Sequence, residues 1–481
     1  MKNYIGVDLG TSSIKLTLID SLGNILNEVS KDYPLYQKGL YSEQNPEDWW
    51  EAFTFCFDKL LEQQDRDCLE GLSFSGQMHG LVLLDKNDRI IRPCILWNDG
   101  RSEEETKYLN EVVGKDKLSE WTGNIAYAGF TAPKLLWVKN HEKELFQNID
   151  KIMLPKDYIA YRLTGVFATD YSDASGTLYL DVKNKKWSEN MLQILGISEV
   201  NLPKLFESTD VIGQAKEEFA YKHKVPEFKV VIGAGDNAAS AVGMGVIKDG
   251  EINISLGTSG TIFIPTDDFV LPKENGLHSF ANTTGKYHLM GCILTAASAR
   301  KWWLENILET KDYSGSDKET ENVNTDNLYF LPYLSGERSP HNDVNAKGAF
   351  IGLTHQTTKA SMSKAIMEGV SFALRDCLEL AKDGGRAFNK ATVCGGGSHS
   401  DVWVQILADI LNLPIYKGNG SGSYGAALLA VSGAEGKSLE EVCDGIIKYD
   451  KVFKPNLESV KYYDNKYKVF KKLYPALKNA I

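Results

Sequence analysis

Three groups of residues in this chain have the types and spacing to do chemistry. In Gly233-Ala-Gly-Asp236-Asn237 a carboxylate lies between small residues that leave room for a molecule to reach it. An aspartate so placed can take a proton from an incoming hydroxyl, and it can equally cap the helix that follows. In Asp8-Leu-Gly-Thr-Ser-Ser13, Gly10 permits a sharp turn and the N–H groups and hydroxyls of Thr11, Ser12 and Ser13 can converge on an anion, with Asp8 as a hard oxygen ligand beside them. Alone, that stretch also fits an ordinary hairpin with a polar tip. The third group, Leu256-Gly257-Thr258-Ser259-Gly260, repeats the second turn about half a chain later, with Ser255 where the first copy has Asp8. Two phosphate-sized turns in two halves point to an internal duplication holding one nucleotide, and only the first turn offers a carboxylate to a metal.

The elements that must hold these residues follow from periodicity. Ile14, Leu16 and Leu18 alternate with more polar neighbours behind the first turn, and Ile252, Ile254 and Leu256 do the same before the second, so each turn joins two strands. A second pair of short strands is expected over 24–33. Asn45-Pro46-Glu47-Asp48 reads as the start of a helix buried through Trp50, Phe53, Phe57 and Leu61, with Trp49 and Trp50 in the core rather than on a ligand. A strand over Leu72–Ser75 ends at Gln77-Met78-His79, and one over Lys229–Ile232 ends at Asp236. In open α/β sheets ligands lie beyond the carboxyl ends of strands, which puts Gln77, Met78, His79 and Asp236 where a substrate would be met. A histidine there serves a sugar hydroxyl or a structural bond equally well. Asp99 and Arg101 fit a mutual pair. The polar stretch 310–327 reads as an exposed excursion. Strand Ala391–Cys394 runs into Gly395-Gly396-Gly397-Ser398, where a planar group could approach the backbone, and the lysines opposite Tyr463, Tyr467, Phe470 and Tyr474 read as a solvated helix face.

Length and charge bound the rest. The 481 residues suit two domains, divided near Val246 into 1–246 and 247–481. With 64 acidic against 53 basic residues the net charge is -11, which argues against nucleic acid or an anionic membrane as the main partner. Seven scattered cysteines without C-x-x-C spacing indicate neither a disulfide framework nor zinc. No apolar run approaches a membrane span, and MKNYIGVD runs straight into a strand, so a cytoplasmic protein without a signal peptide is expected.

Taken together, YIGVDLGTSS, SEQNPEDWW, GQMHG, ILWNDGR, LPKDY, SDASGT, GAGDNAA, SLGTSG, FLPYLSGERSPH and AKGAFIGLTHQ resemble the FGGY carbohydrate kinases over nearly the whole length. Residues 129–141 fit the first family signature throughout; residues 348–368 fit the second except at Ser361. The Gln77-Met78-His79 triplet differs from the Arg-Glu pair expected of glycerol kinases. Gly420-Ser-Gly-Ser-Tyr424 lacks the acidic residue that relatives often carry there.

The resemblance implies an α/β protein of two RNase H-like domains of the actin, hexokinase and Hsp70 superfamily, with ATP and sugar in the cleft between them. It implies transfer of the γ-phosphoryl group to the 5-hydroxyl of D-xylulose, the alternatives being L-ribulose, L-fuculose or gluconate, or an ATP-gated binding protein without an acceptor. It further implies Asp236 as base and Met78, His79 and Asn237 as sugar contacts. Asp8 would lie at Mg²⁺, Thr11, Ser12, Ser13 and Lys15 at the first phosphate turn, Gly257, Thr258 and Ser259 at the second, and Gly396, Gly397 and Ser398 by the nucleoside. Relatives suggest a homodimer.

Overall fold

A computed structural model describes residues 2–272, 276–382, 385–418 and 420–478. The strands of the first sheet are β1 (Asn3–Leu9), β2 (Ser13–Asp20), β3 (Ile25–Asp32), β4 (Leu69–Gly76), β5 (Val211–Gln214) and β6 (Lys229–Gly235), in the spatial order β5-β6-β4-β1-β2-β3. Those of the second are β7 (Glu251–Leu256), β8 (Gly260–Thr266), β9 (His278–Ala281), β10 (Tyr287–Ile293), β11 (Lys390–Cys394), β12 (Ile415–Lys417) and β13 (Lys451–Phe453), in the order β9-β10-β8-β7-β11-β12-β13. The two share one wiring. An antiparallel hairpin (β1-β2, β7-β8) gains an antiparallel strand on one side and two parallel strands on the other. This is the RNase H-like sheet built twice, with one turn of each kind at the same place in each copy.

Both faces of the sheet's centre are covered, so β1, β2, β4 and β6 are buried along most of their length, while the edge strand β3 stays largely exposed. Ile5, Val7, Leu9, Ile14, Leu16 and Leu18 pack with Trp49, Phe53 and Phe57 of α1 (Pro46–Leu60), whose N-cap Asn45 accepts from the Glu47 N–H. On the opposite face Tyr4 and Ile19 join Ala239 and Val242 of α2 (Asp236–Gly243) and Ala427 and Leu428 of α3 (Gly422–Glu435). These two helices touch backbone to backbone. A Cβ on Gly425 would stand 1.8 Å from the Ala239 carbonyl oxygen, and one on Gly6 would stand 1.8 Å from that of Ser423. Small residues thus let a helix from late in the chain seat directly on the first sheet.

Three readings from the sequence change. One strand, Ile25–Asp32, occupies the stretch expected to hold a pair. The polar stretch after residue 310 is not a bare excursion: Asp312 accepts from the Gly315 N–H, a helix runs over Tyr313–Thr320, and Thr320 is fully buried. Lys466 is buried against Glu368 at 2.7 Å rather than solvated, because the C-terminal helix docks along both flanks. The Asp99–Arg101 pair forms as expected, at 2.7 Å. No helix among the described residues is long and apolar enough to cross a membrane.

Candidate active site

Strand β6 delivers Asp236 to the first position of α2, with Gly235 as N-cap and no side-chain capping bond. The Asp236 Oδ1 accepts from the Asn237 N–H at 2.7 Å and from its Nδ2 at 2.9 Å. A capping aspartate would sit one residue earlier and take an N–H further along the helix, so the cap role is excluded and the second carboxylate oxygen is spare. Burial, and after it the charge of Asp8, pushes Asp236 up to about 7. A carboxylate so poised is a far better proton acceptor near neutral pH than a solvated one.

The strand end is propped from behind. The Gly235 N–H donates to Ser172 Oγ at 3.2 Å, and the Ser172 N–H and the Ser208 hydroxyl donate to Asp170 at 2.8 and 3.0 Å. Fully buried Lys156 pairs with Asp170 at 2.8 Å and with Asp157 at 2.6 Å. In front, a Cβ on Gly235 would lie 3.0 Å from Met78 Sδ, so Met78 packs beside the base. His79, in the left-handed region at φ 71, stacks on Phe130 with ring centroids 4.7 Å apart. Its Nδ1 lies 2.8 Å from the Gly176 carbonyl oxygen. Burial, with help from Lys134, holds His79 down at about 3, so the ring is neutral. A carbonyl only accepts, so Nδ1 carries the proton and Nε2 is left as an acceptor suited to a sugar hydroxyl.

The first turn is held by side chains as well as by its own backbone. The Gly10 N–H bonds to the Ser13 carbonyl at 3.0 Å, Gln44 Nε2 donates to the Thr11 carbonyl at 2.7 Å, and Trp97 Nε1 donates to Thr11 Oγ1 at 2.9 Å. The Tyr33 hydroxyl and Gln77 Nε2 both reach the Gly10 carbonyl. Gln77 therefore braces the turn instead of facing an acceptor, while Met78 packs beside Gly235 and His79 on Phe130. Ser12 is exposed and Ser13 partly so. Lys15, on β2 opposite Asp8, pairs at 2.8 Å with Glu28 on the next strand, a half-exposed bridge worth at most about 1 kcal/mol and easily exchanged for a phosphate.

Around the second turn the Gly257 carbonyl accepts from the Ala297 N–H at 2.8 Å and the Thr258 carbonyl from the Ala296 N–H at 3.0 Å. Ser259 is partly exposed. A Cβ on Gly395 would meet the Leu256 carbonyl at 2.8 Å, which packs the triple-glycine turn onto the second turn. Gly396 and Gly397 open a short 3-10 turn closed by the Ser398 hydroxyl on the Gly395 carbonyl at 2.7 Å. Together they border a cavity of about 810 Å³, in the range of a nucleotide-sized ligand. Its other wall holds residues that sequence reading passed over: Arg300, Tyr313, Asp317 and Trp403, with Arg300 paired to Asp317 at 2.5 Å. Only the capping spacing at Asp312 hinted that this wall was structured.

Asp8 accepts from the Ser75 hydroxyl at 2.8 Å and abuts the first turn of α3, where a Cβ on Gly422 would stand 2.8 Å from Oδ2. Burial raises its carboxyl above the ordinary range. Among the described residues no group of three or more His, Cys, Asp or Glu could hold an ion unaided. Asp8, a carboxylate that raises Asp236 by repulsion, suits a hard cation that takes most of its ligands from phosphate oxygens and water, as Mg²⁺ does, and not a resident protein-ligated metal.

A twice-built RNase H-like sheet with a Gly-Thr-Ser turn at the same place in each copy is the fold of the actin and hexokinase-like ATPases. The model of the FGGY family of carbohydrate kinases, N-terminal domain, matches residues 3–243 and that of its C-terminal domain residues 252–434; the chain belongs to this family. A xylulose kinase of Escherichia coli (strain K12) is 39% identical, over 98% of this chain and 99% of that one. A solved structure described as a xyloylose kinase from Brucella ovis superposes with a TM-score of 0.95 at 37% identity, covering 100% of both chains. A gluconate kinase from Lactobacillus acidophilus superposes with a TM-score of 0.95 at 29% identity, covering 100% of this chain and 99% of that one.

Proposed function

We propose that the protein phosphorylates D-xylulose at its 5-hydroxyl with ATP as donor. The single observation that carries this reading is the convergence of Asp236, Met78 and neutral His79 at adjacent strand ends beside the first phosphate turn. Full-length likeness to proteins named xylulose kinase supports the choice of sugar. The triphosphate lies across both turns with its nucleoside in the cavity by Gly396, Gly397 and Ser398. Asp8 would hold Mg²⁺, which would neutralise phosphate charge.

Asp236 accepts the proton of the attacking hydroxyl as the γ-phosphoryl group transfers in line. Asn237 holds the carboxylate, and His79 Nε2 orients the acceptor by taking a hydroxyl bond. Thr11, Ser12, Ser13 and Lys15 on one side, and Gly257, Thr258 and Ser259 on the other, neutralise the transferring group. A cytoplasmic setting agrees with seven cysteines that form no disulfide among the described residues, five of them buried.

A second reading, phosphorylation of gluconate, is supported by the Lactobacillus acidophilus likeness. A coupled ADP-release assay over pentuloses, hexuloses, polyols and aldonates decides between them. D-xylulose is expected to give the highest kcat/KM; turnover with gluconate but none with D-xylulose would replace the first reading by the second.

A further inference from the structure

The loop 336–342 is pinned to the end of β10, the strand that pairs with the second arm of the second phosphate hairpin. Leu294 N–H donates to Glu337 Oε1 at 2.9 Å and Ser339 N–H to the Cys292 carbonyl at 2.9 Å. From this loop Arg338 crosses to the other half of the molecule. Its guanidinium carbon lies 5.6 Å from the centre of the Tyr127 ring, and a Cβ on Gly129 would be 3.6 Å from Nη2. Gly129 backs onto the Trp97 carbonyl, 2.6 Å from the same Cβ position, and Trp97 is the residue whose indole holds Thr11 of the first turn. Arg338 also bonds the Cys292 thiol, and Cys292 stands opposite Thr261, which bonds Asn237. The guanidinium therefore sits among the acceptor pocket, the base and the first turn.

Its electrostatic surroundings are unusual for a cation. Arg338 is only partly exposed, and no carboxylate lies within ion-pair distance of it among the described residues. Glu337, its neighbour, is spent on the N–H groups of Leu294 and Arg338, and burial pushes it up to about 8 against the pull of those bonds and of the Arg338 charge, so it is a weak counter-ion. The other titratable groups within electrostatic reach, Lys134, His79, His278, Tyr127 and Cys292, are cationic or neutral, the last two because burial raises them. A half-buried guanidinium that no carboxylate engages has its donors available to an anion that arrives. The anion that the reaction brings to this place is the phosphoryl group.

We propose that Arg338 is a catalytic residue that binds the phosphoryl oxygens from the acceptor side as the group passes to the sugar, and then holds the phosphate of the product. In that step the bond between the acceptor oxygen and γ-phosphorus forms while the bond to the β,γ-bridging oxygen breaks. Its electron pair leaves on ADP, the hydroxyl proton goes to Asp236, and Arg338 is unchanged. The proposal rests on the kinase reading above.

The test compares wild type, Arg338→Met and Arg338→Lys in turnover and in calorimetric binding of ATP, D-xylulose, D-xylulose 5-phosphate and gluconate. Arg338→Met is expected to lose about 10²- to 10³-fold in kcat, as when one donor to a developing oxyanion is removed. D-xylulose 5-phosphate should bind at least about 30-fold more weakly, while ATP and D-xylulose change less than about threefold. Arg338→Lys, which keeps the charge and with it the pocket, should recover part of both losses. Near-normal kcat with unchanged product affinity would overturn the proposal, as would a loss confined to D-xylulose or to gluconate, which would make Arg338 a reader of sugar hydroxyls or of a carboxylate. Wild type inactive on every sugar would instead defeat the underlying reading.

Discussion

Thr261 and Asn237 meet across the two halves: the Thr261 hydroxyl donates to Asn237 Oδ1 at 3.1 Å. That bond fixes which way the amide faces, and the amide in turn presents Nδ2 to Asp236 at 2.9 Å. Thr261 belongs to β8, directly beyond the second turn, so the orientation of Asp236 depends on the other half of the molecule. In the proposed reaction, seating the triphosphate on both turns and aiming the carboxylate would be one event.

Removing that bond should therefore harm chemistry more than binding. Thr261→Val is expected to lower kcat about 3- to 30-fold, in keeping with a lost net hydrogen bond of about 1–2 kcal/mol. The ATP dissociation constant should stay within about twofold. A fall in ATP affinity with kcat intact would mean that Thr261 serves the nucleotide alone.

The pH dependence follows from the poise of Asp236. A base must be deprotonated to work, and burial together with Asp8 pushes this carboxyl up to about 7. In a pH series, kcat/KM should fall about tenfold per unit below pH 7. An acid limb near pH 4, where an ordinary aspartate titrates, would show that the poise is absent in solution.

The same shift makes Asp236 a liability for stability. Its folded carboxyl holds a proton between about pH 4 and 7 that the unfolded chain has released, so stability falls as pH rises through that window and stays lower above it. Asp236→Asn should thus melt higher than wild type at pH 8, by about 1–2 kcal/mol after allowing for the solvent in the cleft, and equally at pH 4. Thermal unfolding at the two pH values checks the sign.

Close packing between α2 and α3 gives a contrast between two glycines. Gly425→Ala forces a Cβ to within 1.8 Å of the Ala239 carbonyl, and a cost above about 3 kcal/mol is expected. Gly445→Ala adds a Cβ that meets nothing within 4 Å inside helix Leu439–Ile446, and should stabilise by about 0.5–1 kcal/mol. Denaturant titration of both variants separates packing from backbone entropy.

Local signals in the chain reached the two hairpins and their turns because a two-residue period and a glycine are written in adjacent residues. Trp49 in the core and the Asp99–Arg101 pair were readable for the same reason. What could not be read depends on partners far away in sequence. Lys466 is buried only because Glu368 lies 98 positions earlier. Gln77 turns from the pocket to brace Gly10 and Gln44, and Asp317 becomes a cavity wall once Arg300 is beside it. Arg338 stood inside a recognisable motif, yet only the folded chain brings it across to Tyr127.

The central claim is that Asp236 removes the proton of the acceptor hydroxyl, and turnover of Asp236→Asn measured alongside ATP binding tests it most directly. A loss of about 10²- to 10⁴-fold in kcat with ATP affinity retained is the expected result. Turnover within about threefold of wild type would contradict the account.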